Sequence, residues 1–131
     1  LEHVHDLRGT LKKLHARLKP GGLLLIAVPD RESWDASYYG PLWAAYDVPR
    51  HLYHFRRSDL QRLLHEHGFA PPQTKPMWMD ALYVSILSEQ HKGRNSLIAS
   101  ALGATLGMIS NLTALLGRRP TSSTLYITQK R

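Results

Sequence analysis

The sequence predicts an α/β fold in which buried strands alternate with amphipathic helices. Residues Leu23 to Val28 form an uninterrupted run of six apolar residues, which is typical of a strand buried on both faces of a parallel sheet. Pro20, Gly21 and Gly22 precede this run, and they favour a helix end because proline cannot continue a helix and glycine adopts left-handed geometry. A third observation is the alternating, β-branched run at 123–128, which predicts another strand.

The first predicted helix ends just before the buried strand. Its apolar residues recur at spacings of three and four: Val4, Leu7, Leu11, Leu14 and Leu18. This spacing gives one apolar stripe, and Asp6 is placed to cap the start of the helix. A later helix is predicted to begin at a capping box formed by Ser58 and Gln61 and to end at Gly68.

Residues 29–55 are rich in proline, glycine and aromatic side chains. A connection of this length is uncommon in a compact domain unless it is functional. We therefore expect a lid or substrate loop, with a short helix around residues 42–46. The alternative is that its aromatic residues form a small separate core beneath the loop.

The region 80–118 is predicted to be a helical insertion before the last strand, with Asp80 as its first cap. Prolines limit pairing just before it, so a short strand within Gln73 to Trp78 is expected to lie at a sheet edge. Residues 97–116 carry no charge and include Gly103 and Gly107, a spacing found where membrane helices approach each other. Their Ser, Thr and Asn content favours packed helices or an interface helix over a membrane span, and docking on a membrane surface remains an alternative.

Composition limits the classes of partner and compartment. The 131 residues are enough for one domain with its own core, and the start at Leu1, close to a helical pattern, suggests a piece of a longer protein. The lack of cysteine excludes disulfides and thiolate metal sites and favours a cytoplasmic location. The net charge of +7 favours anionic partners, but the basic residues form no stripe interleaved with aromatics, which argues against nucleic acid.

Three sequence blocks together carry a resemblance to a known family. They are LEHV at 1–4, LKPGG at 18–22 and PRHLYHF at 49–55. In this order and spacing they resemble the carboxyl-terminal half of a class I S-adenosylmethionine-dependent methyltransferase, in particular a bacterial branch. The resemblance implies a partial Rossmann-like sheet: Leu23–Val28 as the fifth strand, a strand near Gln73–Trp78 as the sixth, and Ser123–Thr128 as an antiparallel seventh.

The resemblance also implies what the chain binds and transfers. The parent activity would be transfer of a methyl group from S-adenosylmethionine to an O, N or C atom of a small-molecule acceptor. Leu1, Glu2 and His3 would lie beside the cofactor, although Glu2 and His3 also suit a plain helix start. The family's glycine-rich loop and first four strands have no counterpart here, so we expect this chain alone to be inactive and its open sheet edge to favour a homodimer.

Candidate catalytic and substrate-binding residues follow the buried strand. His51 is a candidate general base, because imidazole accepts a proton near neutral pH, and Asp47 could orient it. Arg50 could clamp an anionic group on the substrate, but Asp47 and Arg50 could equally form a structural ion pair while His51 bonds a backbone carbonyl. The further candidates for substrate contact lie at the strand end and in the loop: Pro29, Asp30, Trp43 and Tyr53.

A metal-assisted reaction is a separate hypothesis. In the small-RNA 2′-O-methyltransferases and the ubiquinone-pathway O-methyltransferases that the chain resembles, an acidic–His pair matching Glu2 and His3 helps to hold magnesium. In the RNA enzymes a later histidine, matching His51, joins this pair. Magnesium prefers oxygen ligands, and the upstream glutamate of that motif is missing here, so no metal site is predicted. The alternatives to a simple methyltransferase are therefore a metal-dependent RNA enzyme and a non-enzymatic interaction or membrane-docking module.

Overall fold

The computed structural model describes all residues from 1 to 131 as five α-helices around a three-stranded sheet. The elements in chain order are α1 (Leu7–Arg17), β1 (Leu23–Pro29), α2 (Trp34–Tyr39), α3 (Arg57–Glu66), β2 (Gln73–Pro76), α4 (Trp78–His91), α5 (Ser96–Leu115) and β3 (Ser123–Gln129). Two short 3₁₀ turns, Gly40–Leu42 and Ala44–Tyr46, follow α2. The predicted α/β class is confirmed.

The sheet has the strand order β1–β3–β2, and both pairs are antiparallel. Ile26 and Thr74 both pair with Tyr126, so β1 and β2 run parallel on either side of the reversed β3. The resemblance implied that the last strand is antiparallel, and β3 is antiparallel to both of its neighbours. The proline-limited β2 lies at one edge, as predicted, and β1 lies at the other.

The prediction that β1 is buried on both faces is wrong for this chain. Ile26 and Val28 are buried, whereas Leu23 and Leu25 on the opposite face are 55% and 58% exposed. The buried face packs against Leu11 of α1 and the apolar stripe of α3 in the main core. No element of the chain covers the other face, so the sheet has one helical layer.

Two helix starts differ from the predictions. Asp6 does cap α1 and accepts a hydrogen bond from the Gly9 N–H at 2.8 Å. However, α3 begins at Arg57 with no side-chain cap, so Ser58 forms no capping box. Helix α4 begins at Trp78, which places Asp80 in its first turn, where a carboxylate favours the positive end of the helix dipole without capping it.

Residues 29–55 are more ordered than a loop. They contain α2 and both 3₁₀ turns, and they form a second core with α4 that includes Tyr39, Trp43 and Val84. The Trp43 indole N–H donates to the buried Asp35 carboxylate at 2.8 Å. Tyr39 and Trp43 therefore lie in a separate core, the alternative left open by the sequence, whereas Tyr53 packs against the main core and Tyr38 is exposed.

The long apolar segment is a helix packed against its neighbour. Gly103 and Gly107 of α5 lie against the backbone of α4, where a Cβ on Gly103 would sit 2.4 Å from the Ile86 Cα. The Ser110 hydroxyl donates to Asp35 at 2.7 Å. Ser96–Leu115 has the length and hydropathy of a membrane span, with 22% of it buried in the protein.

Candidate active site

A cleft of about 540 Å³ lies at the carboxyl end of β1, between residues 29–55 and α4. Its lining includes Pro29, Asp47, Arg50 and His51. A smaller cavity of about 130 Å³ shares Pro29 with it and reaches Glu2. In open α/β sheets, ligands bind in the crevice beyond the carboxyl ends of the strands, so this cleft is the candidate active site.

Backbone contacts bring the first residues of the chain to this cleft. The Glu2 carbonyl accepts hydrogen bonds from the Leu52 and Tyr53 N–H groups at 2.8 and 3.3 Å. A ring nitrogen of His3 lies 3.2 Å from the Arg50 carbonyl oxygen. These contacts place Glu2 and His3 next to His51, a proximity of residues about fifty positions apart in the sequence. Leu1 packs against the main core.

The His51 ring is held in one orientation. Its Nδ1 lies 2.8 Å from the Ala45 carbonyl oxygen, and since a carbonyl only accepts, Nδ1 carries the proton of this bond. The neutral ring therefore presents the lone pair of Nε2. Nε2 lies 3.9 Å from a Glu2 carboxylate oxygen and 3.8 Å from an Asp47 carboxylate oxygen, too far for hydrogen bonds. The His51 side chain is 11% exposed and lines the cleft.

Asp47 and Arg50 form an ion pair, which is the structural role that the sequence left open for them. The Arg50 guanidinium donates to one Asp47 oxygen at 2.6 and 3.0 Å, while the other oxygen faces His51. Asp47 adopts a left-handed backbone conformation with φ of 39°. Both residues line the cleft, so the pair fixes its rim and leaves the exposed side of Arg50 open to a ligand.

Three predicted substrate-binding residues do not line the cleft. Trp43 is 2% exposed and belongs to the second core. Tyr53 lies on a different cavity and donates its hydroxyl to the His5 carbonyl at 3.1 Å. Asp30 is buried and is not among the residues that line the cleft. Of the predicted set, the structure brings Pro29, Arg50, His51, Asp47, Glu2 and His3 together at this end of the sheet.

Asp30 is an unusual buried carboxyl group. One oxygen accepts from the Glu32 N–H at 3.1 Å, and the other has no hydrogen-bond partner. Burial raises the pKa of Asp30 to about 6, although the Glu32 hydrogen bond and the Arg57 charge act against it. A carboxyl group in this state can hold a proton near neutral pH.

Four polar residues that the sequence did not assign to the site also line the cleft. Asp80, Tyr83 and His91 project from α4, and Ser123 starts β3. The position of Asp80 could have been predicted from the sequence. It lies shortly after β2, and the carboxyl ends of β1 and β2 lie at the same edge of the sheet, where ligands bind. The positions of Tyr83 and His91 could not have been predicted from the sequence, since they depend on how α4 packs against residues 29–55.

The cluster of Glu2, His3 and His51 has the geometry to hold a cation. One ligand atom from each residue lies within 4.8 Å of the others. Two imidazole nitrogens and one carboxylate oxygen suit a borderline transition metal better than magnesium, which prefers oxygen ligands.

Comparison with known proteins identifies the family. Residues 1–73 match a family described as a methyltransferase domain, which is more than half of the chain. The chain belongs to this methyltransferase-domain family. No curated protein sequence matches.

The chain is similar to two solved structures, one of which has a TM-score above 0.5 and supports the fold. Both are phosphoethanolamine N-methyltransferase 2 from Haemonchus contortus. One, described in complex with phosphomonomethylethanolamine and S-adenosylhomocysteine, has a TM-score of 0.51 at 18% identity. The other, with S-adenosyl-L-methionine, has a TM-score of 0.48 at 14% identity. Each alignment covers 98% of this chain and 31% of the other, so the chain spans about a third of those methyltransferases.

Proposed function

We propose that this chain forms the acceptor side of an S-adenosylmethionine-dependent methyltransferase. Membership of the methyltransferase-domain family supports the reaction class. The observation that carries the assignment of the site is His51, whose Nδ1 is fixed on the Ala45 carbonyl while Nε2 is left free at the cleft. The chain spans about a third of its structural relatives, so the complete reaction is a property of a longer protein or assembly.

The proposed chemistry is an in-line displacement. S-adenosylmethionine, when bound, supplies an electrophilic methyl group. In the proposed step, an acceptor hydroxyl in the cleft would give its proton to His51 Nε2, and its oxygen would form the new bond to the methyl carbon as the bond from that carbon to the sulfonium sulfur breaks and S-adenosylhomocysteine leaves. His51 is preorganised for this role because its Nδ1 hydrogen bond fixes the ring. The Glu2 and Asp47 carboxylates would stabilise the imidazolium that results.

The acceptor is proposed to be a small molecule with an anionic group. The exposed guanidinium of Arg50 stands at the rim of a cleft large enough for such a ligand. One structural relative is described with phosphomonomethylethanolamine, an anionic phosphate ester with an amine. A hydroxyl acceptor would need the His51 base, whereas a neutral amine would need it less, so the effect of losing His51 distinguishes the two.

A metal-assisted version is the second candidate, and the Glu2, His3 and His51 cluster supports it. A cation held there would polarise the acceptor oxygen and lower the pKa of its hydroxyl. In that case His51 would act as a ligand and not as a base. Activity would then disappear on chelation and return with added manganese or zinc, whereas the base mechanism predicts no change.

The test uses labelled methyl transfer from S-adenosylmethionine into a cell extract by the full-length protein, with and without chelator. His51→Gln should lower transfer to a hydroxyl by about 10²- to 10⁴-fold, the usual contribution of a general base. The matched control is His54→Gln, because His54 lies in the same segment and bonds the Tyr46 carbonyl but does not line the cleft. Equal activity of both variants would contradict the role of His51 as a general base for a hydroxyl acceptor.

A further inference from the structure

Helix α5 exposes an apolar surface along its whole length. Leu97, Met108 and Leu115 are 82%, 65% and 71% exposed, and other apolar side chains on the same side of the helix are exposed with them: Ile98, Leu102, Ile109, Leu112 and Leu116. The exposed polar residue among them, Thr105, turns its hydroxyl back to the Ala101 carbonyl at 2.9 Å. At about 1.5 Å per residue, this surface is about 30 Å long, far more than scattered surface leucines would give.

A groove of about 690 Å³ runs between this surface and α4. Its walls are almost entirely apolar: Trp78, Leu82, Met108, Ile109, Leu112 and Leu115. The neighbouring cavity, of about 480 Å³, shares Trp78 and Leu115 with the groove. The apolar groove therefore adjoins a second cavity of different chemistry.

The second cavity is cationic. Arg57, Lys75, Arg118 and Arg119 line it, and no carboxylate does. The Arg57 Nε is buried and has no hydrogen-bond partner, although buried polar groups are normally satisfied. Four cations around one cavity fit a phosphate group, and their position beside an apolar groove fits a phosphate attached to acyl chains.

We propose that α5 and this cationic cavity dock the protein on a bilayer surface that contains anionic phospholipid. The apolar side of α5 lies in the boundary between headgroups and acyl chains, and the Arg57, Lys75, Arg118 and Arg119 cavity receives lipid phosphate. The net charge of +7 draws the protein to an anionic surface. This docking surface is independent of the proposed methyl transfer.

Contacts within the fold keep α5 in the plane of the surface. Gly103 and Gly107 lie against the α4 backbone, and Ser110 donates to Asp35, which also binds Trp43. Residues after α5 return to the sheet as β3, between β1 and β2. A helix that crossed the bilayer would break all these contacts, so α5 lies on the membrane with only one side in lipid.

The test is co-sedimentation of the full-length protein with vesicles of phosphatidylcholine alone or of equimolar phosphatidylcholine and phosphatidylglycerol. We expect salt-sensitive binding to the anionic vesicles. Met108→Glu should weaken it at least about tenfold, because it removes an apolar contact and adds a charge. Combined Lys75→Gln and Arg118→Gln should weaken it about fivefold for each charge removed. Leu42→Glu, at an exposed apolar residue outside both cavities, is the matched control.

Circular dichroism of each variant checks that it folds, and quenching of Trp78 by brominated lipid gives a second readout. Equal sedimentation of wild type and Met108→Glu would overturn the proposal, as would a protein that stays in the supernatant with both vesicles. A dimer in solution that Met108→Glu dissociates, without vesicle binding, would assign the surface to a second copy instead.

Discussion

Asp30 gives a quantitative prediction for how stability depends on pH. Its carboxyl is 2% exposed, and burial raises its pKa from 3.8 to about 6. The folded chain therefore binds a proton that the unfolded chain releases in this window. The stabilisation from that proton is fully present below pH 3.8 and is lost as the pH rises through about 6. At about 1.4 kcal/mol for each pH unit, the difference amounts to about 3 kcal/mol.

Asp30→Asn tests this prediction, because asparagine keeps the shape but never ionises. Its carbonyl can still accept the Glu32 N–H, and its amide can donate to the unpartnered Thr124 hydroxyl. Relative to wild type, the variant should gain up to about 3 kcal/mol in unfolding free energy at about pH 8 and nothing at about pH 4. Urea unfolding followed by tryptophan fluorescence measures the difference, with Asp59→Asn at an exposed carboxyl as the control. Parallel curves for wild type and Asp30→Asn across this range would refute the reasoning.

Three further predictions concern packing and assembly. Gly103→Ala should lower the free energy of unfolding by about 1–2 kcal/mol in thermal unfolding, because the new Cβ would overlap the α4 backbone and the resulting strain would exceed the gain in helix propensity. The exposed Ser100→Ala is its control and should be neutral. Asp35→Ala should lower the free energy of unfolding by about 3–5 kcal/mol in urea, since it leaves the Trp43, Ser110 and Ser122 donors buried without an acceptor. The isolated 131-residue chain should dimerise in size-exclusion chromatography through the β1 edge, and Leu25→Lys should return it to a monomer; a monomeric wild type would contradict this.

Local signals in the sequence predicted the strands and most helices correctly. The apolar run of β1 and the alternation of β3 were enough to place both strands, and their antiparallel pairing followed from the family resemblance. The same run misled on burial, because an apolar pattern shows what a strand can bury and not whether a second layer is present. Leu23 and Leu25 are exposed for that reason.

The candidate site was only partly predictable. His51 and Arg50 lie in a recognisable block, and the contact of Glu2 with residues 52–53 brings the chain start beside them. Trp43 looked like a ligand contact but is buried against Asp35, because an aromatic side chain serves a core as well as a cleft. Tyr83 and His91 enter the cleft through packing of α4, which no spacing along the sequence encodes.

The cleft at His51 is proposed to be the acceptor side of a methyl-transfer site. A crystal structure of the full-length protein with S-adenosylhomocysteine tests it most directly. For in-line transfer to an oxygen bound by His51, we predict the cofactor sulfur roughly 6–8 Å from His51 Nε2, with open space between them. A sulfur farther than about 12 Å away, or separated from Nε2 by the chain, would leave no room for this geometry and would contradict the account.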